Sequence, residues 1–253
     1  DMSYCVGLRL EKGLVFMADT LTNAGVDNIS HYQKVFTWSK KDKAQVFLLT
    51  AGNLATSQAV VNILNGNGNT SNGEAAENPP QDILALPNMF QIAKLVAETL
   101  RNVIGDMQGL GQEASSQFDV TMILGGQIFG EDTKLFLIYP EGNFIEVSDD
   151  QPFFQVGETK YGKPILVRAY DEKLDFEDAV KLLLLSFDST IKANLSVGLP
   201  LDLVIYETDS FTIFHQERIT QDNAYFQYLS NAWGARLKNA FEELPDFEII
   251  APK

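Results

Sequence analysis

Three polar side chains near the start of the chain are of types that can do chemistry together. Ser3 heads the run Ser3-Tyr4-Cys5-Val6-Gly7-Leu8-Arg9-Leu10, Asp19 closes Leu14-Val15-Phe16-Met17-Ala18-Asp19, and Lys34 leads into Val35-Phe36. The two alternating, apolar-rich runs flank the turn Glu11-Lys12-Gly13, which is the pattern of a β-hairpin. A hydroxyl then stands at the extreme end of the hairpin, a carboxylate ends its second strand, and a lysine enters the next strand. The three could form one site. By residue type alone they also read as an ordinary serine at a strand start beside a structural Asp–Lys ion pair.

The elements that would position these residues follow from periodicity. The hairpin sets Tyr4, Val6, Leu8 and Leu10 on one face and Cys5, Gly7 and Arg9 on the other. Residues 20–30, with Asn23, Gly25, Asp27 and Asn28, read as a loop. Strands are expected at 34–38 and 45–50, after which Ala51-Gly52 breaks the strand and Asn53 can cap a helix ending near Leu64. The stretch 65–80, rich in Asn and Gly, cannot bury enough apolar surface to order itself and is expected to be a mobile loop. From Asn88, residues Ile92, Leu95, Val96, Thr99, Leu100 and Val103 recur at three and four, predicting a long amphipathic helix. Strands are expected at 118–124, 134–139, 143–147 and 153–157. A helix capped by Asp175 presents Phe176, Ala179, Val180, Leu183, Leu184, Phe187 and Ile191. Strands at 202–207 and 210–215 precede a last helix at about 222–243, with Phe226, Leu229, Trp233, Leu237 and Phe241 on one face. This order predicts an α+β fold: a four-layer αββα sandwich of two mostly antiparallel sheets flanked by helices. Nothing in composition marks a linker, so 1–253 is expected to form one domain.

Composition narrows the function. Thirty-four acidic against nineteen basic residues give a formal net charge of −15. Such a surface repels phosphate backbones and anionic leaflets, which argues against a nucleic-acid or membrane partner. Cys5 is the one cysteine, so no intramolecular disulfide and no cysteine-built metal site can form. His31 and His215 stand alone, and neither a metal nor a cofactor is expected. Without a signal peptide or an apolar run of membrane-spanning length, the chain is expected to be cytoplasmic. Asp1 ahead of Met2 reads as an addition before a natural start.

The residues resemble a known family. A short hairpin from a terminal Ser or Thr, Ala18-Asp19 at its second strand's end, Lys34 entering the next, and Ala51-Gly52 leading into a helix are similar to proteasome β subunits, members of the N-terminal nucleophile hydrolases. The strings Met122-Ile123-Leu124-Gly125-Gly126, Tyr139-Pro140-Glu141-Gly142 and Val156-Gly157 extend the likeness. More narrowly, Ser3-Tyr4-Cys5-Val6-Gly7, Thr22-Asn23-Ala24-Gly25-Val26-Asp27-Asn28-Ile29, the run 157–164 and Asn194-Leu195-Ser196-Val197-Gly198-Leu199-Pro200 resemble Anbu, the bacterial ancestral β-subunit family.

The resemblance implies a peptidase or amidase. Ser3 is the nucleophile once Asp1 and Met2 are gone, its free α-amine serves as base, and Lys34, charge-balanced by Asp19, lowers the proton affinity of the hydroxyl. Gly52 N–H is the matching oxyanion donor. The family's usual supporting hydroxyls and carboxylate are replaced here by Glu158, Asn194 and a displaced Ser196, which puts its proton relay in question. A peptide or other amide substrate is implied, with self-assembly into a large homo-oligomer, an open ring or helix, for which the helices at Asn88 and Asp175 could supply contacts. Two other readings stay open: a catalytically silent assembly or ligand-binding protein, and an acyl transferase acting on amines.

Overall fold

A computed structural model describes residues 3–23, 29–66, 81–109 and 115–250. Asp1, Met2 and all but the first two residues of the loop expected at 65–80 lie outside these. Two five-stranded antiparallel sheets form the centre. The first has the order β10 (Phe153–Gly157), β1 (Tyr4–Leu10), β2 (Gly13–Asp19), β11 (Leu201–Glu207), β12 (Ile213–Ile219). The second runs β5 (Val35–Lys40), β6 (Ala44–Gly52), β7 (Val120–Ile128), β8 (Lys134–Ile138), β9 (Phe144–Glu146). A small hairpin, β3 (Leu21–Asn23) with β4 (Ile29–His31), stands apart from both.

The alternation along β1 explains the layering. Tyr4, Val6, Leu8 and Leu10 face a cluster with Leu183, Leu184 and Phe187 of α4 (Phe176–Ala193) and Leu166 of α3 (Lys163–Ala169), whereas Cys5 faces the other sheet with Phe16, Phe47, Leu49, Ile123 and Tyr206. Phe16 and Phe47 meet across that gap with ring centroids 5.0 Å apart. On the far side of the second sheet, α1 (Leu54–Leu64) and α2 (Met89–Gly109) bury Val60, Ile92, Val96 and Leu100 against Leu48, Met122 and Phe136. Covered on both faces, β2 is buried along its whole length, so it reads as a continuous apolar run. The αββα sandwich is therefore present, with α5 (Ala224–Glu243) resting on α4.

Several local expectations needed correction. The polar segment after Thr20 contains β3 and β4. Between β10 and α4 the chain forms a further short helix, α3, for which Pro164 in the first turn is the sequence signal. Strand β12 begins at Ile213, three residues later than expected, because Asp209 and Phe211 adopt positive φ (66° and 50°) and Ser210 Oγ donates to the carbonyls of Glu207 and Thr212, widening the turn. The apolar stripes of α2 and α4 are occupied within the core, while α5 buries only Phe226 of its large residues and leaves Leu237 and Phe241 exposed. No helix of the described residues is long and apolar enough to cross a membrane.

Candidate active site

Strand pairing brings Ser3 and Asp19 together, and Lys34 reaches them from the other sheet. Tyr4 pairs with Gly157 of β10, and Cys5 with Ala18 of β2, so Ser3 lies just past the end of β1, between the ends of its two neighbours. Asp19, ending β2, is completely buried and Lys34 is 5 % exposed. Lys34 Nζ donates to Asp19 Oδ1 at 2.7 Å and to the Leu21 carbonyl at 2.7 Å. Two of the three ammonium donors are thus fixed by described partners, and the side chain still borders the same cleft as Ser3.

Asp19 is held by backbone as well. Tyr4 N–H donates to Oδ1 at 3.0 Å and Gly198 N–H reaches Oδ2 at 3.4 Å. Burial raises the pKa of this carboxyl above the ordinary aspartate value, and the Lys34 ammonium and the two amides oppose that rise without cancelling it. The charged pair therefore depends on both partners being present.

Ser3 is itself clamped. Its carbonyl accepts from Glu158 N–H at 2.7 Å. Gly157 makes room for this contact: its φ is +83°, and a Cβ there would lie 1.9 Å from the Ser3 carbonyl oxygen. Gly52 is the second glycine the site requires, with φ +133° and space for no Cβ against the Asp119 carbonyl. It ends β6, one residue before Asn53 caps α1 by accepting from Thr56 N–H at 2.9 Å. The cleft of about 440 Å³ is bordered by Ser3, Lys34 and Gly52, with Tyr32, Phe36 and Leu54 among its apolar walls.

The remaining candidates stand differently. Glu158 contributes its backbone N–H and sits in the turn ahead of α3, outside any helix's first turn. Asn194 Oδ1 accepts from Ser196 N–H at 3.0 Å and from Ser196 Oγ at 2.5 Å. These two side chains face one another; what the loop delivers to the pair is the Gly198 amide. Cys5 is fully buried, burial pushes its thiol pKa well above the usual value, and Sγ lies 3.7 Å from the Thr50 carbonyl, so it is a packing residue. Behind the nucleophile, Tyr4 Oη lies 2.6 Å from Ser186 Oγ and accepts from Gln155 Nε2 at 2.7 Å. Among the described residues no group of three or more His, Cys, Asp or Glu could hold a metal ion.

The groups that residue types did not reveal are all main-chain: the amides of Tyr4, Glu158 and Gly198 and the carbonyl of Leu21. Only register and turn geometry could have found them.

The model of the proteasome subunit family matches residues 3–205, the span that carries this geometry. The chain belongs to the proteasome subunit family, among its Anbu proteins. It is 46 % identical to the Anbu (Gly-1) mutant from Hyphomicrobium sp. strain MC1, with 98 % of this chain and 100 % of that one covered and a TM-score of 0.87. Anbu from Yersinia bercovieri is 41 % identical over 97 % of this chain and 100 % of its own, with a TM-score of 0.87. The Pseudomonas aeruginosa Anbu described as a helical assembly is 41 % identical over 97 % and 98 %, with a TM-score of 0.86. No match was found among curated protein sequences. The αββα layering of this Anbu chain is accordingly the proteasome-like N-terminal nucleophile fold.

Proposed function

We propose that this chain is an N-terminal nucleophile hydrolase of peptides or other amides, acting through Ser3 once Asp1 and Met2 are removed, within a homo-oligomer. The observation that carries the proposal is the buried Lys34–Asp19 pair, whose Lys34 borders one cleft with Ser3 and Gly52.

In this reading the Ser3 hydroxyl attacks the substrate carbonyl while the α-amine of Ser3 takes the hydroxyl proton. The ordinary pKa of an α-amine, near ~8, leaves a useful unprotonated fraction at neutral pH. Lys34 stabilises the developing alkoxide by its charge. The carbonyl oxygen becomes an oxyanion that Gly52 N–H receives, an interaction whose loss typically costs roughly 3 kcal/mol. Collapse breaks the C–N bond, the leaving amine takes the proton from the α-ammonium, and an ester on Ser3 remains. Water, deprotonated by the same amine, then hydrolyses the ester. The clamp on the Ser3 carbonyl fixes the backbone from which both amine and hydroxyl project.

A chain expressed to begin at Ser3, with its terminus verified by mass, should form a covalent adduct at Ser3 with an electrophilic amide-hydrolase inhibitor. No adduct on that verified terminus would sink the proposal.

A second reading has its own observation. Asn194 and Ser196 are engaged with each other, and among the described residues no hydrogen bond links either to Ser3, an arrangement that suits assembly alone. A Ser3→Ala variant that replaces wild type in its host without loss would favour it. The acyl-transfer reading is separated by product masses with added amines. Self-assembly, open or helical, is supported by the likeness to the Pseudomonas aeruginosa assembly.

A further inference from the structure

Beyond α5 the chain runs on through Leu244-Pro245-Asp246-Phe247-Glu248-Ile249-Ile250, in no helix or strand. Leu244, Phe247, Ile249 and Ile250 are 67, 90, 87 and 89 % exposed. Four large apolar side chains in seven residues, uncovered by their own chain, are unusual for a soluble surface. Bound as an extended strand, the segment sets Phe247 and Ile249 on one side and Asp246 and Glu248 on the other.

Elsewhere on the same chain a groove of about 700 Å³ opens between α3, α4 and α5. Its floor is apolar, with Pro164, Ile165, Leu174 and Trp233, and its charged lining is Arg168, Lys181 and Asp178. Arg168 has no ion-pair partner among the described residues, and Lys160 stacks over the ring of the rim residue Tyr161 at 5.1 Å. Lys181 is there too, held by Asp178 at 2.6 Å. On a chain of net charge −15, an apolar floor bordered by Arg168, with Lys160 next to the rim residue Tyr161, suits an acidic, apolar strand.

We infer that residues 244–250 of one copy dock in the α3–α4–α5 groove of a neighbouring copy, with Phe247 and Ile249 on the floor and Asp246 and Glu248 against Arg168 and Lys160. This rests on the self-assembly reading above and specifies its contact. Tail and groove are different surfaces, so the contact is heterologous, and repeating it builds an open helix or a ring instead of a closed pair. Seven extended residues reach roughly 23 Å, enough to bridge to a neighbour.

The test uses two full-length variants. Phe247→Ala with Ile249→Ala disables the tail; Arg168→Glu with Leu237→Asp disables the groove. Circular dichroism and thermal midpoint check folding, and every substituted residue is exposed. Analytical ultracentrifugation should show each variant alone needing at least tenfold more protein than wild type to assemble. Mixed one to one, the variants should form dimers and nothing longer, because each pair retains one intact tail and one intact groove. If wild type assembles and both variants assemble equally well, the docking is wrong while the assembly reading stands. Variants that fail alone and do not pair on mixing also overturn it, since the tail then acts within its own chain. A monomeric wild type at micromolar concentration overturns both.

Discussion

Replacing Asp19 by Asn leaves the side-chain shape nearly unchanged and removes only the charge opposite Lys34. The amide oxygen can still accept from Tyr4 N–H, so the hairpin end keeps its packing. Lys34 does not keep its counter-ion: the residue is 5 % exposed, and with Asp19 neutralised its described partner is the Leu21 carbonyl. Breaking a buried pair from one side costs about 3–5 kcal/mol, because the remaining charge is left without compensation in a poorly solvated place. With a urea m-value at the upper end of roughly 1–3 kcal/mol/M for a chain of this size, the unfolding midpoint should fall by about 1–2 M. Protein concentration must be held fixed, since assembly adds to apparent stability. Adding Lys34→Met to Asp19→Asn removes both charges and should recover most of that loss. Amide hydrolysis by the Ser3-terminated form should stay down by on the order of 10²-fold or more in both variants. The recovery of stability without activity separates a catalytic pair from a structural one. A midpoint shift below about 0.3 M for Asp19→Asn, or full activity in the double variant, would refute the reasoning.

Gly157→Ala should abolish adduct formation at Ser3 and lower the thermal midpoint, because the new methyl must displace the Ser3 carbonyl at a φ of +83°. Ser196→Ala should cost less than about 1 kcal/mol and leave kcat/KM within a factor of about two, since its hydroxyl serves Asn194 and the backbone still supplies Gly198 N–H. Activity against pH should rise through about pH 8 as the α-amine loses its proton. On the acid side, Asp19 holds its proton to a higher pH than an ordinary aspartate, so activity should fail above the usual carboxylate range as pH is lowered. Tyr4→Phe should cost about 1–3 kcal/mol by denaturant titration; Tyr4 is pushed up to about 12 by burial, and its neutral hydroxyl is shared between Ser186 and Gln155.

The hairpin, the amphipathic helices and the layer order were legible because side-chain period reports which face is buried, and each of these elements buries a face. Asp19 and Lys34 stood out because one closes the apolar run Leu14–Ala18 and the other leads straight into Val35-Phe36. The helix α3 and the late start of β12 were not legible: seven residues give little periodicity, and the positive φ of Asp209 and Phe211 is set by the turn's own hydrogen bonds.

Around Ser3 the division is sharper. The sequence by itself determined which side chains are available, a hydroxyl, a carboxylate and an ammonium, and that strand pairing would bring the first two together. Only the tertiary structure decided that Lys34 crosses from the second sheet to Asp19, that Asn194 and Ser196 turn to each other, and that main-chain groups from β1, the β10 turn and the loop before β11 hold the pair and the nucleophile. The reason is physical: every residue but proline carries the same N–H and carbonyl, so composition and spacing are blind to them, and only the folded path of the chain says which of them point at the site.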